Sequence, residues 1–217
     1  MQFLDIHTHQ EGTDPEVRSI LSLSLTGMQT ALPEDRDISV GLHPWFATMD
    51  HLETDYIRLA EAAKKTQVKL IGECGLDRLK GESLENQLIV LKKQLTLAVD
   101  IHKPVILHCV RCFDEMIALK KEIKPTVPLI IHGYNKNEQL GRQLLFNGFY
   151  LSFGKAILNA ESGAAILLKE AEVFFLETDD AHCDIREIYQ AAANLKKCTI
   201  EEVKALIFAS WEKIKLI

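Results

Sequence analysis

Two histidines near the start of the chain have the spacing of metal ligands. His7 and His9 lie in the segment Asp5–His9, directly after a short apolar run that begins at Phe3. Residues two apart in a strand point to the same face, so both imidazoles can reach one cation. Imidazole is the commonest neutral metal ligand in proteins. Taken alone, however, the pair could equally be two surface histidines.

Four more side chains with metal-binding chemistry occupy similar places further along the chain. His108, His132, Glu73 and Asp179 each come at the end of a short apolar run, or shortly after one. Charged residues in such surroundings are rarely buried unless they are paired or bound to a metal. Imidazole and carboxylate ligands together suit zinc, manganese, iron or magnesium. The six residues together therefore predict a metal centre.

A metal centre of this kind predicts hydrolysis. Two cations bridged by Glu73 would activate a water molecule between them and polarise a phosphoryl or carbonyl oxygen. Asp179 could bind one metal, accept a proton from the attacking water, or do both. We therefore treat Asp179 and Glu73 as the candidate catalytic residues. The physiological metal, whether magnesium, manganese or zinc, is not fixed by these ligand types.

The pattern of apolar residues predicts the elements that carry these side chains. Short β-rich runs alternate with longer amphipathic segments, which is typical of parallel strands joined by crossover helices. In an α/β barrel the carboxyl ends of all strands face one rim, where active sites are built. Residues 10–18 and 26–37 predict loops in place of the first two helices. The predicted strands are 3–6, 19–25, 38–42, 69–72, 105–107, 129–131, 149–152 and 173–176, and the predicted helices are 51–66, 84–102, 112–123, 138–146, 162–171, 185–195 and 201–214.

Length and composition place limits on the class of protein. A chain of 217 residues predicts one domain, residues 1–217. The apolar runs are too short to cross a bilayer, and the first residues lack the pattern of a secretory signal, so we expect a cytoplasmic protein without a membrane span. The five cysteines suit a reducing compartment. A net charge of −6 argues against a broad nucleic-acid-binding surface, although bound cations could reverse the field locally.

Six motifs in sequence order carry a resemblance to a known family. They resemble the motifs of the TatD family of metal-dependent deoxyribonucleases over nearly the whole chain, which implies a distorted TIM (β/α)8 barrel, an α/β fold, with the first crossover helices shortened or missing. The motifs are His7-Thr8-His9, Gly41-Leu42-His43-Pro44, Gly72-Glu73-Cys74-Gly75-Leu76-Asp77, Pro104-Val105-Ile106-Leu107-His108-Cys109, Ile131-His132-Gly133 and Glu177-Thr178-Asp179.

The resemblance also implies a function and a ligand assignment. Family members hydrolyse DNA with divalent metal ions, often as exonucleases from the 3′ end. By motif position, Glu73 would bridge two metals, and His43 would touch a substrate phosphate, although a histidine before Pro44 could also simply end a strand. The implied ligands of one metal are His7, His9 and Asp179, and those of the other are His108 and His132.

Departures from the family pattern concern the substrate. Val110 stands where many relatives have an arginine, and Arg111 follows one place later, where it could pair with a phosphate or be an ordinary surface residue. The long family loop after Asp179 is absent, and the chain runs almost directly into the helix predicted from Ile185. The catalytic machinery therefore carries over from the family, whereas the identity of the substrate does not.

The leading hypothesis is a DNase that acts on single-stranded or 3′-terminal DNA with two divalent metals and without an obligate protein partner. A small-molecule amidohydrolase or phosphoesterase is the alternative, favoured by the acidic charge and the shortened rim. A metal-binding or interaction protein that has lost catalysis is a third. Cys109 and Cys112 have the spacing of a redox or zinc pair, while Lys155 or His182 could contact a substrate.

Overall fold

The structure, a computed structural model, describes residues 1–27 and 31–217, and all the predicted elements are found within them. The strands are β1 (Phe3–Thr8), β2 (Val17–Ser24), β3 (Ile38–Gly41), β4 (Val68–Asp77), β5 (Val105–Val110), β6 (Leu129–Ile131), β7 (Tyr150–Phe153) and β8 (Phe175–Leu176). The helices are α1 (Leu52–Ala63), α2 (Leu84–Asp100), α3 (Phe113–Ile123), α4 (Glu138–Phe146), α5 (Gly163–Glu170), α6 (Ile185–Lys196) and α7 (Ile200–Lys213).

The strand order is that of an α/β barrel. Strands β1 to β8 follow one another in chain order in one eight-stranded sheet, and a bridge between Thr8 and Asp179 joins the end of β1 to the segment after β8. The described residues between β1 and β2, and between β2 and β3, contain no helix. The predicted loop 26–37 includes residues 28–30, which lie outside the described residues. The prediction of a TIM-like barrel with its first crossover helices shortened or missing is confirmed as far as the described residues extend.

Two compact units make up the chain. Unit 1 consists of residues 1–21 and 131–217, and unit 2 consists of residues 22–130. The expectation of a single domain stays a prediction. Within the described parts of both units, no helix combines the length and the apolar character that a membrane crossing needs.

In unit 1, helix α6 is fastened to the first strand. The Tyr189 hydroxyl accepts a hydrogen bond from the Leu4 backbone N–H (2.9 Å) and donates one to the Leu4 carbonyl (3.0 Å). The ring of Tyr189 also packs edge-on against Phe3, with 5.0 Å between the centroids. Since Leu4 and Phe3 lie on β1, these contacts fix the strand that carries His7.

In unit 2, strand β4 lies between β3 and β5, and at Gly75 its backbone lies close against that of β5. Gly75 pairs with His108 and has a φ of +153°. A Cβ atom at this position would stand 1.9 Å from the His108 carbonyl oxygen, so only glycine fits. The glycine of the Gly-Glu-x-Gly motif thus brings β4 against the strand that carries His108.

Three strands continue at least two residues past their predicted ends. The predicted strands end at Ile6, Gly72 and Leu107, whereas β1 continues to Thr8, β4 to Asp77 and β5 to Val110. Polar residues interrupt the apolar pattern at those points. Because their side chains are paired with one another in the fold, they are buried within the strands. Glu73 and His108 therefore lie inside strands rather than beyond the strand ends.

Candidate metal centre

His7, His9 and Asp179 form one group of candidate ligands in unit 1. Their ligand atoms lie within 4.8 Å of one another. The carboxylate oxygen Oδ1 of Asp179 is 3.5 Å from Nε2 of His7 and 3.6 Å from Nε2 of His9. Asp179 has a φ of 54°, which the backbone around it fixes: its N–H donates to the His7 carbonyl (2.9 Å), and its carbonyl accepts from the His9 N–H (3.1 Å). The chain therefore holds these three side chains together through main-chain contacts.

His132 lies in the same unit and forms a second group with Glu177 and Asp179. Nδ1 of His132 is 3.6 Å from Oε1 of Glu177, and its ring centroid is 4.4 Å from that of His7. The Gly133 N–H donates to the same Glu177 oxygen at 2.6 Å. The carboxylate of Glu177 is completely buried, and its Oε2 has no hydrogen-bond partner among the described residues. A buried carboxylate oxygen in this state is costly unless a cation or a proton compensates it.

Unit 2 contributes the group of His43, Glu73 and His108. Oε1 of Glu73 is 3.1 Å from Nε2 of His43 and 2.8 Å from Nδ1 of His108. The other nitrogen of His108 faces a second carboxylate, with 3.1 Å between Nε2 and Oδ2 of Asp77. A neutral imidazole has only one N–H and can donate to only one of the two carboxylates. The donor set around Glu73 and His108 therefore fits a cation at the Glu73 side.

Asp77 is buried and is held by three different donors. The Trp45 indole N–H donates to Oδ2 (2.6 Å), and the Leu79 backbone N–H donates to Oδ1 (2.7 Å). Burial acts to raise the pKa of Asp77, but the hydrogen bonds from Trp45, Leu79 and His108 outweigh it and lower the pKa. Asp77 thus stays ionised and accepts from His108.

The buried side chain of Asp5 on β1 contacts the residue just before Asp179. The Thr178 hydroxyl donates to Oδ2 of Asp5 (2.7 Å), and the backbone N–H groups of Thr178 and His7 lie 3.2 Å from Oδ1. Burial raises the pKa of Asp5 to about 7, against the lowering effect of the hydrogen bonds from Thr178. These contacts link β1 to the residues that precede Asp179.

Other residues singled out in the sequence have different surroundings. Arg111 is exposed, and its backbone carbonyl accepts a hydrogen bond from the Arg78 guanidinium (2.9 Å). The contact between Arg111 and a phosphate stays a prediction. Nζ of Lys155 is 3.2 Å from Oδ1 of Asp180. Cys109 and Cys112 form no disulfide, and burial raises the pKa of the Cys112 thiol. A reactive thiol needs a lowered pKa, so the structure does not favour redox chemistry at this pair.

Three residues that support these groups are not among the predicted site residues. Glu177 and Asp77 both stand in the quoted motifs, and a carboxylate two or four residues from a candidate ligand is the signal that could have identified them. Trp45 follows the Gly-x-His-Pro motif, and its role depends on a contact with a residue 32 positions away. Nothing in the local sequence indicates that contact.

A family profile described as "TatD related DNase" matches residues 27–214. An uncharacterised metal-dependent hydrolase of Haemophilus influenzae is 24% identical over the whole chain and 95% of its own length. A 3′-5′ ssDNA/RNA exonuclease TatD of Cronobacter sakazakii is 31% identical over 65% of this chain and 56% of its own length.

Solved structures show the same fold. A TatD homologue from Escherichia coli superposes with a TM-score of 0.79, with 20% identity, over 98% of this chain and 97% of its own. An uncharacterised amidohydrolase from Saccharomyces cerevisiae gives a TM-score of 0.76, with 13% identity, over 98% of this chain and 99% of its own. Since the family profile spans well over half of the sequence, the chain belongs to the family of TatD related DNases.

Proposed function

We propose that this protein is a metal-dependent hydrolase of phosphodiester bonds that removes nucleotides from the 3′ end of single-stranded DNA. The observation that carries the proposal is the concentration of imidazole and carboxylate groups around buried carboxylates, including the Glu177 oxygen that has no partner among the described residues. The relative named as a 3′-5′ ssDNA/RNA exonuclease supports the choice of substrate.

The proposed ligands are the six residues that the motifs indicate. Bound divalent cations would supply Lewis-acid polarisation of a phosphoryl oxygen and would favour deprotonation of water. Magnesium, manganese and zinc all suit the donor set of nitrogen and oxygen atoms. The residues are His7, His9, Glu73, His108, His132 and Asp179.

Two side chains have geometry suited to the reaction itself. Nδ1 of His43 accepts the Trp45 backbone N–H at 3.2 Å, so the proton of the neutral ring lies on Nε2, which is 3.1 Å from Oε1 of Glu73. If Glu73 binds a cation instead, this N–H can donate to a phosphate oxygen. The Asp179 carboxylate is half-buried beside two imidazoles and can accept the proton of an attacking water molecule. Arg111 is proposed to pair with a phosphate oxygen of the substrate.

The test uses two adjacent aspartates. Asp179→Asn keeps the left-handed backbone, which asparagine tolerates well, while it removes a ligand and a proton acceptor. Asp180→Asn, at an exposed neighbour, is the matched control. We expect 3′-end nucleotide release with magnesium or manganese in the parent and in Asp180→Asn, and a loss of at least about 100-fold in Asp179→Asn. Elemental analysis should show a lower metal content in Asp179→Asn.

Failure to release nucleotides by protein shown to be metal-loaded would refute the nuclease assignment. The second candidate, a hydrolase of small amides, lactones or phosphate esters, is favoured by the net charge of −6 and by the six-residue distance between Asp179 and the start of α6. A substrate panel with the same two variants separates the candidates, because loss of activity in Asp179→Asn alone identifies the bond that the metal centre cleaves.

A further inference from the structure

We propose that Trp45 and Phe46, here called the aromatic ledge, bind nucleobases of single-stranded nucleic acid by stacking. The inference deepens the proposed function and rests on it for the choice of substrate. It adds a base-binding surface to the unit 2 group of His43, Glu73 and His108.

The ledge is an exposed aromatic pair. The side chains of Trp45 and Phe46 are 38% and 58% exposed, and their ring centroids are 6.2 Å apart at an interplanar angle of 78°. Scattered exposed apolar residues are common, but two adjacent aromatic rings beside a group of candidate ligands indicate a binding surface.

Trp45 is held in place before any ligand arrives. Its indole N–H donates to Oδ2 of Asp77 (2.6 Å), and Nζ of Lys80 lies 3.8 Å from the ring centroid. Gly81 has a φ of +86°, and a Cβ atom there would stand 2.1 Å from the Pro44 carbonyl oxygen. The loop after β4 is therefore packed closely against the turn that carries the ledge. A fixed aromatic surface loses little conformational entropy on binding.

Position and charge favour nucleic acid as the occupant. The ring centroid of His43 is 4.9 Å from that of Trp45 and 5.5 Å from that of Phe46. A phosphate held by His43 would place the attached nucleotide beside the ledge. Lys80 adds a positive charge over one face of the Trp45 indole, which suits a polyanion and leaves the other indole face and Phe46 for a base. Because every base has an aromatic face, such a surface binds single strands with little sequence preference.

Tryptophan fluorescence gives a direct test. The chain has two tryptophans, and Trp211 is completely buried, so a soluble ligand should quench only Trp45. The probe is a pentathymidylate with phosphorothioate linkages that resist hydrolysis, titrated with magnesium present. Its control is an abasic pentamer of the same charge. We expect saturable quenching by the thymidylate and weaker binding of the abasic strand.

The variants separate stacking from charge. Phe46→Ala should weaken thymidylate binding about 5- to 150-fold and leave the affinity for the abasic strand unchanged, whereas Phe46→Tyr should retain binding. Ile57→Ala, at an exposed apolar residue on α1, is the matched control and should have no effect. Trp45→Phe should remove the quenching signal.

The outcomes distinguish this inference from the proposed function. Base-dependent quenching without any nucleotide release supports the ledge and refutes the nuclease assignment. Nucleotide release with equal affinity for both strands, unchanged in Phe46→Ala, overturns the ledge and leaves the nuclease assignment intact. Self-association that Phe46→Ala abolishes, without any dependence on bases, also overturns it, because the surface would then bind a second copy of the chain.

Discussion

A buried glutamine on α2 holds the loop that carries Asp77, and its replacement by leucine should destabilise the protein. Oε1 of Gln87 accepts the Asp77 backbone N–H (2.7 Å). Nε2 of Gln87 donates to the carbonyls of Asp77 (2.9 Å), Lys80 (3.0 Å) and Glu82 (2.8 Å). Leucine fills a similar volume without a polar atom, so Gln87→Leu isolates the hydrogen bonds from the packing.

The magnitude follows from the two contacts to Asp77, which are buried. An unsatisfied buried backbone group costs about 1–3 kcal/mol, whereas the carbonyls of Lys80 and Glu82 are closer to solvent and can bind water. We therefore expect the free energy of unfolding to fall by about 2–6 kcal/mol. At the lower limit, the melting temperature should fall by roughly 4–8 °C for a chain of this size.

Urea unfolding followed by circular dichroism measures this change. Gln143→Leu, the same replacement at an exposed position on α4, should stay within about 0.5 kcal/mol of the parent. The emission of Trp45 should also shift to longer wavelength in Gln87→Leu, since Asp77 holds the indole. If Gln87→Leu unfolds at the same urea concentration as Gln143→Leu, the hydrogen bonds of Gln87 do not hold this loop and the reasoning is wrong.

Two further predictions concern the ends of helices. Nζ of Lys103 donates to the carbonyls of Ala63 (2.6 Å), Val68 (2.6 Å) and Lys65 (3.2 Å). Lys103→Met should therefore lower the free energy of unfolding, measured in urea titrations, by about 1.5–3 kcal/mol. A change below about 0.5 kcal/mol would contradict this. Thr199→Ala removes the hydroxyl of the capping box of α7, while the backbone N–H can still donate to Glu202, and should cost about 1 kcal/mol at neutral pH. Hydrogen bonds from Thr199 lower the pKa of Glu202 below the ordinary glutamate value of 4.5. The stabilisation that these bonds give is therefore complete above pH 4.5 and is lost as the pH falls through the lowered pKa. Thermal melts across this range should show the difference between variant and parent shrinking in acid.

The sequence predicts the elements well because their patterns are local. Seven amphipathic segments and eight apolar runs have the lengths and spacing of crossover helices and parallel strands, and the structure has them all. The capping box at Thr199 and Glu202 is a local feature of the same kind, because both partners lie within one turn. Strand β4, which carries Glu73, is longer than predicted. Its polar side chains pair with His108 on another strand, and the local sequence does not show that pairing.

Buried polar residues on helices are the feature that the sequence does not reveal. Gln87 and Gln94 are seven residues apart and therefore lie on the same face of α2, among apolar side chains. Gln94 accepts from the Leu42 N–H (2.8 Å) and donates to the Leu42 carbonyl (3.1 Å). A polar residue within an amphipathic pattern predicts an exposed position. Only the tertiary fold shows that these two amides bind the backbone beside His43 and at Asp77.

This arrangement separates the candidate metal ligands from the residues that we propose to influence substrate choice. Glu73 and His108 lie inside paired strands, where a shift of either strand would displace both side chains. Phe46 is apolar and exposed, and its ring lies on the turn that follows His43. Replacing it should therefore change affinity for bases while the ligand group keeps its geometry. We therefore expect that comparable replacements in this turn change the substrate of a barrel with the same ligand motifs, so that motifs which identify the family need not identify the substrate.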